Sequence, residues 1–142
     1  MIFCDTSTLA KFYLLEPEMP AVRAVFEAAP KICASELARV EVMAVFHRRL
    51  REKKCSRPDF QNAINQFIRD DLADYWTWLP LAPAITEAAA RTFMTLSPAV
   101  FLRASDCIHI ATALHNKFDT IHTHDIHQAA AAATLGLKTI AL

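Results

Sequence analysis

The chain has 142 residues, of which 54% are hydrophobic and 21% charged, with a formal net charge of zero. That length suits one domain around one core, and that composition excludes a disordered chain. Neutrality excludes a globally basic nucleic-acid binder, and the longest apolar runs are too short to span a bilayer. The opening Met1 to Asp5 has no basic region or signal-type apolar stretch, so nothing directs export and a cytoplasmic protein is expected. Cys4, Cys33, Cys55 and Cys107 lie far apart with no Cys-x-x-Cys, which reads as reduced thiols rather than a disulfide framework. The single glycine, Gly136, excludes a Gly-rich phosphate loop, a dinucleotide fingerprint and a Gly-x-Ser-x-Gly nucleophile elbow.

Met1 to Cys4 reads as a short buried strand ending at Asp5. A helix follows from about Ser7, with Leu9, Phe12 and Tyr13 on one face, and Pro17 stops it. Val22, Val25, Phe26 and Ala29 recur at helical spacing and mark a second helix, closed by Pro30. Lys31 to Ala34 is the second strand. Ser35 then caps a long helix from Glu36 to about Lys54. Pro58 opens the next helix, whose apolar stripe is Phe60, Ile64, Phe67, Ile68 and Leu72. Tyr75 to Leu79 alternates aromatic and polar residues as a strand does. Ile85, Ala88, Ala89 and Phe93 carry another helix, and Pro98 to Leu102 connects it to the next. There Ser105 caps a helix with Asp106 in its first turn and Ile110, Ala113 and Leu114 behind. Thr120 to Thr123 is a strand, Ala129 to Leu135 a helix ending at Gly136, and Lys138 to Ala141 a last strand. Strands alternating with one or two helices predict a single α/β domain over residues 1–142 with a mainly parallel sheet.

In such a sheet, ligands bind outside the carboxyl ends of the strands, where helix starts also lie. Asp5 follows the first strand, Asp125 follows the strand holding Ile121, Asp106 sits at a helix start, and Glu41 is in the second turn of the helix after the second strand. These four acids can converge at one rim. Taken alone, Asp106 is an ordinary helix-start carboxylate. Glu41 fits that explanation least, because it shares a helical face with Leu37, Val40, Ala44 and Arg48. A buried carboxylate is costly unless paired. Arg39 folding back would pair it, and so would a cation held among the acids. Two like charges 4 Å apart repel by roughly 4 kcal/mol at an effective dielectric of 20. Carboxylates brought together must therefore protonate, separate or bind metal, and an all-oxygen set suits Mg²⁺ or Mn²⁺. A metal there would polarise a phosphodiester and activate water without a His base, a nucleophilic Ser or a Gly loop.

Four segments resemble, in order, the motifs of PIN-domain ribonucleases. Asp5-Thr6-Ser7-x-Leu9-Ala10-Lys11 is similar to their opening motif. Ser35-Glu36-Leu37-Ala38-Arg39-Val40-Glu41 resembles the segment bearing their glutamate. Leu102 to Ala113 resembles the third acidic motif, and Thr123-His124-Asp125 the fourth. Cys107 and His124 depart from the usual alanine and aromatic, and neither removes a carboxylate. The subgroup with the nearest resemblance is the VapC-type toxins of toxin–antitoxin pairs.

The resemblance implies a three-layer α/β/α fold with a central five-stranded sheet and Mg²⁺- or Mn²⁺-dependent endoribonuclease activity. Asp5 and Asp106 would be the main metal ligands, with Glu41 and Asp125 completing the acidic site. Ser7 and Thr123 would orient those carboxylates, or serve simply as a helix cap and a strand-end hydroxyl. Metal-activated water would leave a 3′-hydroxyl and a 5′-phosphate. The implied partners are an RNA substrate, a VapB-type antitoxin laid across the acidic rim, and a second copy in a homodimer. The helices from Ser7 to Pro30 and from Pro58 to Leu72 have apolar residues enough for either an interface or the core.

Three other readings compete. His122-Thr123-His124-Asp125-Ile126-His127 invites a zinc site, and strand alternation would place His122 and His124 on one face. The stretch fails the metallo-β-lactamase-type pattern, because Ile126 stands at the aspartate position. A receiver domain would show an acidic pair after the first strand, where Thr6 follows Asp5. A non-catalytic PIN-like RNA- or protein-binding scaffold would show loss of one or more of the acids, and all four are present. Arg48, Arg49, Arg51, Lys53, Lys54 and Arg57 form a basic cluster. It reads either as a solvated helix end or as a phosphate-contacting patch.

Overall fold

The computed structural model describes all 142 residues. Strand β1 (Ile2–Phe3) leads into helix α1 (Thr6–Lys11) and then α2 (Met19–Ala28). Strand β2 (Ile32–Ser35) is followed by the long pair α3 (Ala38–Arg51) and α4 (Arg57–Leu72). Strand β3 (Trp76–Leu79) precedes α5 (Pro83–Thr95) and α6 (Ala104–His115). Strand β4 (Thr120–His122), α7 (Ile126–Thr134) and β5 (Lys138–Ile140) complete the chain.

All pairing is parallel, as the alternation of strands and helices predicts. β2 lies between β1 and β3, with Ile2 opposite Ile32 and Cys33 opposite Thr77. β4 pairs with β5, with Ile121 opposite Thr139. The pairing forms a three-stranded and a two-stranded sheet rather than one continuous five-stranded ladder. A single bridge, Cys4 to His122, joins them. Asp5 explains the break. Its N–H still donates to the His122 carbonyl at 3.0 Å, but its side chain already caps α1, so the chain leaves the sheet after one bridge.

Helices cover both faces. Along β2, Ile32 and Ala34 enter one core and Cys33 the opposite one, as strand alternation requires. The larger core joins α1 to α4 and is dominated by rings: Phe12, Tyr13, Phe26, Phe46, Phe67 and Trp76 meet mostly edge-to-face. The opposite core packs Phe3, Cys33 and Ile121 against Ile110, Ala113, Ala131 and Ala132. The alanine run of α7 is thus a close-packed helix. Cys4, Cys33 and Cys107 are buried free thiols, and Cys55 is half-buried and free. No helix is long and apolar enough to cross a membrane.

Several element starts differ from the sequence reading. Ser35 does not cap α3: it is the buried last residue of β2, and the helix begins at Ala38 without a side-chain cap. Glu41 is consequently in the first turn, and Val40 faces solvent rather than the core. Ser105 does not cap α6, whose cap position is Arg103, so the helix starts two residues earlier, at Ala104. Helix α7 starts at Ile126 rather than Ala129, because the Asp125 side chain accepts the N–H groups of His127 and Gln128. The stripe of α4 is buried at Ala63 and Phe67, while Leu72 is 81% exposed.

Candidate active site

All four acids line one open cleft of about 740 Å³, at the rim where strands end and helices begin. Asp5 is buried and held on several sides. Its Oδ1 accepts the Thr8 N–H at 3.0 Å, its Oδ2 accepts the Thr123 hydroxyl at 2.8 Å, and the Ser7 hydroxyl lies 2.8 Å from both oxygens. Ser7 Oγ in turn accepts the His124 N–H at 2.8 Å. Thr123 Oγ1 also accepts the Asp125 N–H at 3.1 Å. The two hydroxyls therefore tie the start of α1 to the end of β4 and fix the Asp5 carboxylate.

Glu41 is not paired with Arg39. That arginine turns away to Asp71, at 2.9 Å, with its guanidinium over the Trp78 ring. Glu41 Oε2 instead accepts the Thr6 hydroxyl at 2.5 Å and lies 2.7 Å from His109 Nε2. Burial pushes the Glu41 carboxyl up, but the hydrogen bonds from His109 and Thr6 outweigh it, and its pKa falls below the usual range. His109 is 2% exposed, and nothing in the sequence reading placed it in the site. One signal was available: it stands three residues after Asp106, which puts both on the same face of α6. Buried Gln128 was likewise missed. Its side chain links the Thr123 hydroxyl, at 2.9 Å, to the Asp106 carbonyl, at 3.3 Å.

Asp125 caps α7 through Oδ1 and accepts from Arg103 Nη2 through Oδ2 at 3.1 Å. Asp106 differs from the other three acids. Its Oδ2 is buried and accepts no hydrogen bond, with Arg103 Nε at 3.6 Å. Burial raises its pKa, the negative charges of Asp125 and Glu41 add to that, and Arg103 and His109 offset part of it.

The zinc reading of the histidine run does not survive. β4 ends at His122, so alternation stops before His124. His122 is buried, His124 lies between the Thr8 hydroxyl and the Leu142 carbonyl, and His127 stacks edge-on against Phe101. Across the molecule, no three His, Cys, Asp or Glu side chains crowd closely enough to enclose an ion by themselves. The cleft nevertheless fits a hydrated hard cation. Mg²⁺ binds through one or two carboxylates and keeps several waters, and Asp106 offers a buried oxygen with no hydrogen-bond donor. The same cleft is also lined by His47, Arg48 and Arg51. Arg49 also lines it, but is ion-paired with Glu16.

The chain's architecture is similar to that of several solved proteins. Mycobacterium tuberculosis VapC20, described as a Sarcin-Ricin loop cleaving toxin, superposes with a TM-score of 0.71 at 17% identity, over 92% of this chain and 95% of that one. FitAcB from Neisseria gonorrhoeae gives 0.73 at 16% identity, over 99% and 96%. VapBC2 from Rickettsia felis, bound to a DNA fragment from its promoter, gives 0.67 at 14% identity, over 99% and 98%. At these identities the likeness establishes the fold alone. No curated protein matches the sequence. The PIN domain family profile matches residues 2–134, and the chain therefore belongs to the PIN domain family.

Proposed function

We propose that this PIN domain is a Mg²⁺- or Mn²⁺-dependent endoribonuclease, the toxin of a VapBC-type toxin–antitoxin pair. The observation that carries the reading is one cleft lined by both carboxylates and cations. Asp5, Glu41, Asp106 and Asp125 line it together with His47, Arg48 and Arg51. Such a pairing suits a polyanion cut at a metal. The cations would hold the phosphate backbone, and the acids the ion.

Asp106 and Asp5 would hold the metal, directly or through water. The bound ion would supply a polarised phosphodiester and a nucleophilic water. The chain's own groups do the rest. Ser7, Thr8 and Thr123 fix the Asp5 carboxylate, and Thr6 and His109 fix Glu41 in its charged form. Arg48 and Arg51 would contact backbone phosphates. Products would end in a 3′-hydroxyl and a 5′-phosphate.

VapC20 is described as a toxin, and VapBC2 was solved on promoter DNA. By the same token, this chain's partners would be RNA and a VapB-type antitoxin that covers the cleft. A second copy would dock on the exposed apolar end of α4, where Ile68 and Leu72 stand open.

Cleavage of total cellular RNA by the purified, partner-free chain tests the reading. Discrete fragments are expected with Mg²⁺ or Mn²⁺, none with EDTA, and at least a hundredfold loss in Asp106→Asn, the scale on which removing one transition-state charge stabiliser acts. Cleavage that persists in EDTA and in the variant would overturn it. Metal-dependent RNA binding without any cleavage would favour a non-catalytic scaffold.

A further inference from the structure

Three of the four cleft acids accept hydrogen bonds from their own neighbourhood. Asp5 has two hydroxyls and an amide, Glu41 has Thr6 and His109, and Asp125 has the first N–H groups of α7. Asp106 Oδ2 has none, and faces the guanidinium of Arg103 instead. The position of Arg103 is unusual for a cation. It is the N-cap residue of α6, at the positive end of the helix dipole, and its side chain makes no cap bond. The helix therefore does not explain its placement. Two carboxylates do: Nε lies 3.6 Å from Asp106 and Nη2 lies 3.1 Å from Asp125. The side chain is 53% exposed, with its Cζ 5.9 Å from the centre of the Phe101 ring, so a path toward solvent is open.

We propose that Arg103 is the resident cation of the metal-free site. Its guanidinium spans Asp106 and Asp125, and a divalent ion binding at Asp106 displaces it outward along Phe101. The inference rests on the metal-binding reading of the acids. Arg103 is then a positioning residue with two effects. It holds two carboxylates together when no ion is present, and it lowers metal affinity by competing for the same oxygens. Lysine keeps the charge but lacks the planar fork that reaches both carboxylates at once.

The test is calorimetric titration of Mn²⁺ into the full chain, with Arg103→Ala, Arg103→Lys and Asp106→Asn alongside. Arg103→Ala is expected to bind Mn²⁺ roughly three- to tenfold tighter, the scale of one or two partly exposed ion pairs. Arg103→Lys should fall between it and the parent chain, and Asp106→Asn should lose most binding. In thermal melts, metal-free Arg103→Ala should unfold below the parent chain and gain more from added Mn²⁺. Unchanged or weaker Mn²⁺ binding in Arg103→Ala overturns the inference. So does an Arg103→Lys affinity equal to that of the parent chain, because a distant charge would then suffice. If the parent chain cleaves RNA with Mn²⁺ while Arg103→Ala binds the ion no tighter, only the role of Arg103 falls. If the parent chain neither binds Mn²⁺ nor cleaves, the metal reading falls with it.

Discussion

Asp106 shows most directly what the site requires of the fold. A carboxylate whose folded pKa is raised favours the fold in its protonated form. That contribution is present below the unfolded pKa and is lost as pH rises through the folded one. Near neutral pH the charged Asp106 therefore works against the metal-free fold, with burial as the main cause. Asp106→Asn is expected to melt higher than the parent chain at about pH 7 without metal, and the gain should vanish by about pH 3, where both forms are neutral. Melting curves at the two pH values decide this, and a gain that persists in acid would refute it. The variant would thus lose activity and gain stability together, as expected where function strains the fold. His109 acts in the opposite sense. His109→Ala removes a donor from half-buried Glu41 and leaves an empty buried space, at a cost of roughly 1–3 kcal/mol. Urea unfolding measures it, and a loss under about 0.5 kcal/mol, within the usual range for surface sites, would show that Glu41 finds another partner.

At the scale of elements, helix starts explain most of the differences between sequence and structure. Where a cap is local, the sequence signal is sound: Ser56 caps α4 in a reciprocal box with Asp59, and Pro58 sits in the first turn. Ser56→Ala should cost about 1 kcal/mol in chemical denaturation, and no loss would mean that α4 is held by its core face alone. Where strand pairing competes, the cap signal misleads. Ser35 looks like a helix cap, but β3 extends the ladder to Ser35 opposite Leu79, and the helix is delayed to Ala38. Asp125 and Asp5 gave the reverse lesson. The sequence marks both as strand-end acids, and both are helix caps as well. Capping takes one oxygen of each and leaves the other to a side chain, Thr123 for Asp5 and Arg103 for Asp125.

On the scale of the molecule, charge is arranged rather than accumulated. A chain with zero net charge places Arg48 and Arg51 beside four acids in one cleft. If these two arginines contact phosphates, the Arg48→Ala, Arg51→Ala double variant should lower the slope of log affinity against log salt by about 1.4 for single-stranded RNA. The measurement is best made on an Asp106→Asn background, so that the RNA stays intact. Arg49→Ala should leave the slope unchanged, because Glu16 already holds that side chain. A double variant with an unaltered slope would assign the basic cluster to solvent.

The sequence by itself determined the periodic elements, the parallel α/β class and the four acids, because periodicity and strand-end position are local properties written every few residues. The order of four motifs along nearly the whole chain also made the family legible. What each acid touches was decided only by the tertiary structure. Glu41 and His109 meet across α3 and α6, 68 positions apart, and Thr123 reaches Asp5 across 118. The local alternative, Arg39 beside Glu41, lost to Asp71 and the Trp78 ring. The split of the sheet into three and two strands was equally out of reach. It depends on Asp5 leaving the ladder to cap a helix, and a hydrophobic pattern cannot tell which demand on one residue wins. Burial and partner choice are set by whole packed layers, and they are what turn four scattered carboxylates into one cleft.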